Sequence, residues 1–114
     1  MKLTHEKIGD IDILRISVKL LRGQGASRIH DRVYDLLDSG SRKFILNLSG
    51  IDWMDSTSLG ILISAYTNAR NADAKLVLCG VEDKIQSLLT TTKLKSVFEI
   101  FENEEDAIKA LESE

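Results

Sequence analysis

The chain has 114 residues, 43% of them hydrophobic, with 15 Lys and Arg against 18 Asp and Glu and a formal net charge of −3. This composition suits one packed domain spanning residues 1–114 and excludes a disordered chain. The scattered basic residues give no reason to expect direct nucleic-acid binding, no apolar run approaches a membrane span, and the opening MKLTHEKIGDIDIL lacks the apolar core of a signal peptide. Cys79 is the single cysteine, so no internal disulfide can form and a cytoplasmic setting is expected; with His5 and His30 alone it makes no typical zinc site.

Lys2 to Lys7 and Ile11 to Leu20 read as two strands joined through Gly9-Asp10 in a hairpin. In the second, Ile11, Ile13, Leu14, Ile16, Val18 and Leu20 largely alternate with Asp12, Arg15, Ser17 and Lys19, which predicts one wet face. Arg22-Gly23-Gln24-Gly25-Ala26 reads as a loop. Ser27 is then the expected cap of a helix whose Ile29, Val33, Leu36 and Leu37 recur at helical spacing until Ser39-Gly40. Phe44 to Leu48 is a short apolar run of the kind found in buried central strands, followed by a predicted loop from Ser49 to Met54 in which Trp53 anchors to the core.

Leu59, Leu62, Ile63 and Tyr66 form the stripe of an amphipathic helix beginning near Thr57. Ile61 falls off that stripe, as a partner contact or as part of a second buried face. Gly60 inside the helix suggests close approach by a partner or a neighbouring strand. Lys75 to Cys79 is another buried strand, ending in a packed, inert thiol. Ile85, Leu88 and Leu89 mark a short helix, Val97 to Phe101 a last strand, and Asn103 the cap of a final helix with an acidic first turn, Glu104-Glu105-Asp106. His5 and His30 read as surface residues. The order β-β-α-β-α-β-α-β-α implies an α/β fold, with a mixed, mostly parallel sheet of about five strands, an N-terminal β-hairpin and about four helices.

In such sheets functional groups gather beyond the carboxyl ends of the strands. The stretch Ile51-Asp-Trp-Met-Asp-Ser-Thr-Ser-Leu-Gly60 lies there, with Asp55, Ser56, Thr57 and Ser58 directly before the helix. Asp55 or Ser56 serves as an N-cap, which leaves other hydroxyls available at a surface turn, and a helix N-terminus tolerates a phosphate well. A serine hydrolase fits poorly, because Ser56 lacks the G-x-S-x-G elbow. Gly23 and Gly25 do not complete a nucleotide cradle. A receiver domain phosphorylated on Asp55 lacks the carboxylates that would hold magnesium after the first parallel strand, where the chain reads Arg22-Gly23-Gln24-Gly25.

Ile45-Leu46-Asn47-Leu48 followed by Ile51-x-Trp53-Met54-Asp55-Ser56-Thr57-x-Leu59-Gly60 resembles the signature of STAS domains, specifically bacterial anti-sigma factor antagonists. The resemblance is specific over about residues 44–66 and implies a STAS fold, no catalytic residues and no cofactor. It implies that Ser56 is the phosphoacceptor, with Thr57 and Ser58 as lesser candidates. Its implied partners are an anti-sigma factor with serine kinase activity, which binds the unmodified domain and releases it on phosphorylation, and a serine phosphatase that resets it. The expected contact face is Asp55, Ser56, Thr57, Ser58 and Ile61 with Gly23, Gln24 and Gly25. Two departures stand out: Ser58 replaces the usual glycine, and Arg22 to Ala26 replaces a Gly-x-Leu-Asp turn at which the kinase docks in the family. The alternative reading is a STAS scaffold or transporter-associated interaction module that is never phosphorylated.

Overall fold

In the computed structural model, which describes residues 1–114, β1 (Lys2–Ile8) and β2 (Ile11–Leu21) form the expected antiparallel hairpin. Gly9 makes this turn at φ +60, the left-handed region that glycine enters without steric cost. Then follow α1 (Gly23–Asp38), β3 (Lys43–Met54), α2 (Ser56–Asn71), β4 (Lys75–Cys79), α3 (Asp83–Thr91), β5 (Ile100–Phe101) and α4 (Glu104–Glu112). The sheet runs β1-β2-β3-β4-β5, with every pair after the hairpin parallel. The α/β class and the element order agree with the sequence reading.

Strand alternation divides the apolar residues between two unequal cores. Leu14, Leu46, Leu76 and Leu78 face Ala26, Ile29 and Val33 of α1, Leu59 and Leu62 of α2, and Ile85 and Leu89 of α3. Ile11, Ile13, Ile45, Val77 and Cys79 face the other way, onto Ala107 and Leu111 of α4. Three helices thus cover one side of the sheet and one covers part of the other. The short α4 is fixed at its start: the Asn103 side chain accepts from the Asp106 N–H at 2.9 Å, as expected of a cap. Glu104 accepts from Arg15 twice, at 2.7 and 2.9 Å, and from Asn47 at 2.6 Å, so its charge-assisted bonds tie the helix to β2 and β3.

Four expectations change. The wet face assigned to β2 fails at Asp12, which is fully buried. Its carboxylate meets His5 Nε2 at 2.7 Å and Lys7 Nζ at 3.3 Å across the hairpin, so β1 covers it and supplies its partners. Burial pushes this carboxyl up, yet hydrogen bonds from Ser41, His5 and Lys7 together outweigh that and hold it below the usual carboxylate range. His5 is therefore a structural partner as well as a surface residue.

Strand β3 does not stop at Leu48. It continues to Met54 beside β2, after a register shift between the Arg15 and Ser17 pairings. At that irregularity the Ser49 N–H donates to the Asn47 side chain at 3.0 Å, and a Cβ on Gly50 would lie 2.7 Å from the Ile16 carbonyl oxygen. The turn-forming letters Ser49-Gly50 therefore mark a bulge, not a loop.

Helix α1 begins at Gly23 instead of after Ser27, with Arg22 at the N-cap position and no side-chain cap. Its glycines serve close packing: a Cβ on Gly23 would come within 3.2 Å of Thr57 Cγ2, and one on Gly25 within 2.9 Å of Met1 Sδ. Strand β5 is only Ile100–Phe101, shorter than the Val97 to Phe101 expected. Phe98 instead turns into the larger core, edge-on to Tyr66 with ring centroids 5.4 Å apart.

Candidate functional site

The carboxyl ends of β2 and β3 finish level, with Leu21 opposite Met54, and each strand passes at once into a helix. The two chains are stitched together at this point. The Leu21 carbonyl accepts from the Asp55 N–H at 3.2 Å and from the Ser58 hydroxyl at 2.8 Å. Asp55 is extended, at φ −82 and ψ 170, and its carboxylate accepts from the Ser58 N–H at 2.8 Å. It is thus the N-cap of α2, satisfying one of the amides that no preceding carbonyl can reach. Hydrogen bonding from Ser58 holds the Asp55 carboxyl below the usual range against a smaller effect of burial, and the charge of Arg22 adds to this. The hydroxyl proton itself points to Leu21, so the N–H supplies the directional bond.

With capping done by Asp55 and the strand-to-helix tie done by Ser58, the first residue of α2 has neither task. Ser56 is exposed, and its hydroxyl makes no hydrogen bond within the chain. Thr57 is exposed beside Gly23, Gln24 is exposed, and Gly25, Asp55 and Ile61 are half-buried. Seven of the eight expected contact residues therefore reach this surface. Ser58 does not, because it is fully buried, and the expectation that it joins the contact face or offers a second modifiable hydroxyl is corrected. Ile61 packs partly against the larger core. Gly60 has open space where a Cβ would stand, so no neighbouring strand accounts for it.

Trp53 also departs from expectation. It is 43% exposed, lies on β3 opposite Leu20, and belongs to neither core. Arg22 is the other residue that a loop reading undervalues. It sits between Leu21 and Gly23, both of which touch the Asp55–Ser58 turn, and is itself exposed. Strand pairing, which no local pattern announced, sets Trp53 opposite Leu20, and Arg22 follows at the N-cap position of α1. Cys79 is buried, and burial pushes its thiol up to about 12, which keeps it protonated and inert as expected. No group of three His, Cys, Asp or Glu side chains is placed to hold a metal ion, and no helix is long and apolar enough to cross a membrane.

An exposed serine opens a capped helix beyond the carboxyl ends of a five-stranded mixed sheet ordered β1-β2-β3-β4-β5. The chain matches the STAS domain family over residues 2–107 and belongs to it. It is 23% identical over 113 residues to BtrV of Bordetella bronchiseptica, a proposed anti-sigma factor antagonist, covering 99% of this chain and 97% of that one. It is 33% identical over 66 residues to the anti-sigma-B factor antagonist of Staphylococcus aureus, a segment covering 58% of this chain and 61% of the relative. The fold superposes on the phosphorylated form of the Bacillus cell fate determinant SpoIIAA with a TM-score of 0.75 at 15% identity, covering 96% of this chain and 99% of that one.

Proposed function

We propose that the chain, acting as one domain over residues 1–114, is an anti-sigma factor antagonist switched by phosphorylation of Ser56. The observation that carries this reading is the division of labour in the turn: Asp55 and Ser58 are occupied, and the exposed Ser56 hydroxyl is free. The relatives named above support the choice of partner class. Unmodified, the domain binds an anti-sigma factor that is also a serine kinase, which frees the sigma factor. Transfer of the γ-phosphoryl group of ATP to the Ser56 oxygen, with loss of the hydroxyl proton, ends the complex, and a serine phosphatase restores it. ATP and magnesium belong to the kinase.

The physics needs no refolding. A phosphate brings roughly −1.5 to −2 charges to the turn. Against one partner carboxylate about 6 Å away, repulsion at an effective dielectric near 20 is roughly 4–5 kcal/mol, and about half that after screening. Some 30- to 100-fold in affinity follows. The domain tolerates the charge because it falls at the positive end of α2, where the free N–H groups lie. Arg22 nearby offsets the like charge of Asp55.

The test is incubation with ATP and the kinase-type anti-sigma factor encoded by the same genome, followed by mapping of phosphate by mass spectrometry. Phosphate on Ser56, absent in Ser56→Ala, is the expected result. Phosphate elsewhere, or none, refutes the reading.

A further inference from the structure

Accepting the switch reading, the next question is which part of the surface the partner grips. A hydroxyl and a carboxylate in water supply little binding free energy, so an anchor is needed nearby. We infer that the anchor is the cross-strand pair Leu20–Trp53, with Arg22 as its charged neighbour, and that the partner meets it with an apolar pocket bordered by a carboxylate.

Three observations converge on this patch. Trp53 is 43% exposed although aromatic residues usually find cover, and its register partner Leu20 is only half-buried. Neither joins the core that α1, α2 and α3 close over the sheet, nor the one under α4. The chain therefore spends two large apolar side chains on a surface that its own packing leaves open. Position is the second observation. Trp53 is three residues before Ser56, and Leu20 and Leu21 end the strand whose last carbonyl holds the Asp55–Ser58 turn. Met1, 39% exposed, lies against Gly25 at the same end, so this end carries two of the three large apolar side chains that stand exposed. Tyr34, on α1, is the third.

Charge is the third observation. Arg22 is exposed and takes part in no ion pair, whereas Arg15 is held between Glu6 and Glu104. Asp52, the acidic neighbour of Trp53, is exposed as well. Arg22, two residues after Leu20 and just past the end of its strand, favours an acidic border around an apolar pocket. The same arrangement explains how Ser56 governs it. The phosphate would both repel the partner's carboxylate and draw Arg22 to itself, removing attraction and adding repulsion in one step. The departure Arg22-Gly23-Gln24-Gly25 then sets a partner preference particular to this chain.

Trp53 is the single tryptophan, so its emission reports the patch directly. The experiment titrates the unphosphorylated protein with the purified kinase-type anti-sigma factor of the same genome, reading fluorescence, calorimetry and association rate. A blue shift of Trp53 emission on binding is expected. Trp53→Ala and, as a milder change, Leu20→Ser should weaken affinity, the first by about 30-fold or more. Arg22→Gln should slow association by roughly three- to tenfold and flatten its salt dependence. Tyr34→Ala should stay within about twofold, as a surface change outside the patch. If the wild type binds without a shift and Trp53→Ala binds within about threefold of it, the patch is discarded, while loss of binding by Ser56→Asp would keep the switch. If the wild type does not bind at all, both are discarded.

Discussion

Two aspartates sit near opposite ends of the β2–β3 pair, both held below the usual carboxylate range, yet in contrasting settings. Asp12 is sealed beneath the hairpin and held by side chains from β1 and by Ser41. Asp55 is half-exposed and spends its carboxylate on a backbone amide of α2. Around the first, the polar groups satisfy one another, and the surface beyond is hairpin. Around the second, one hydroxyl and a tryptophan are left over. The same residue type thus serves as a structural pin where its partners are side chains, and as a frame for a reactive neighbour where its partner is the main chain.

The comparison breaks most visibly if charge at Ser56 leaves binding untouched. Ser56→Asp should cost the complex tenfold or more in calorimetric titration with the anti-sigma factor, less than a true phosphate because it carries a single charge. Its urea midpoint should stay near that of the wild type, since Ser56 makes no internal bond.

Asp12→Ala should show the reverse. It strands Lys7, His5 and Ser41 and should cost roughly 2 kcal/mol in urea unfolding, with Ser56 phosphorylated at the wild-type rate. The pH dependence follows from the sign of the shift. Asp12 titrates below its unfolded value in the folded chain, so its stabilising effect is complete above that unfolded value, about 3.9, and is lost as pH falls through the folded one. Asp12→Asn should therefore flatten the acid side of the stability profile below about pH 5, measured by urea midpoints at successive pH values.

Smaller effects sharpen the account of the second aspartate. Asp55→Ala removes the α2 cap and should lower Tm by about 5 °C, and it should also slow phosphorylation of Ser56 by loosening the turn. Ser58→Ala frees the Leu21 carbonyl from one of its two donors and should cost roughly 1 kcal/mol. Since Ser58 is buried, phosphate mapping of that variant should be identical to wild type. A new modified site, or loss of the old one, would show that the hydroxyl does more than join β2 to α2.

Much of this was legible from periodicity. The alternation of Leu14, Ile16 and Val18, the stripe of Leu59, Leu62 and Tyr66, and Asn103 before an acidic turn each announce an element through spacing alone. What stayed hidden depends on neighbours distant in sequence. Ser49-Gly50 looks like a loop until β2 is laid beside it and Gly50 is seen to pass close to the Ile16 carbonyl. Gly23 and Gly25 look like loop residues until Thr57 and Met1 are placed against them. Asp12 reads as wet because nothing local reveals that His5 and Lys7 fold over it. In the structure Asp55 caps α2 and Ser56 opens it, in the turn where the motif lies. That motif could not show that Ser58 is turned inward to Leu21, nor that Trp53 is turned outward.

The central claim is that a phosphate on Ser56 acts as a charge, not as a wedge that unfolds the domain. The most direct measurement compares the anti-sigma factor's affinity for the unmodified chain with that for the chain carrying phosphoserine at 56, alongside far-ultraviolet circular dichroism and Tm. The account predicts about 30-fold or more weaker binding for the phosphorylated chain, with spectra and melting unchanged. Equal affinities, or weaker binding accompanied by a collapse of the melting transition, would contradict it.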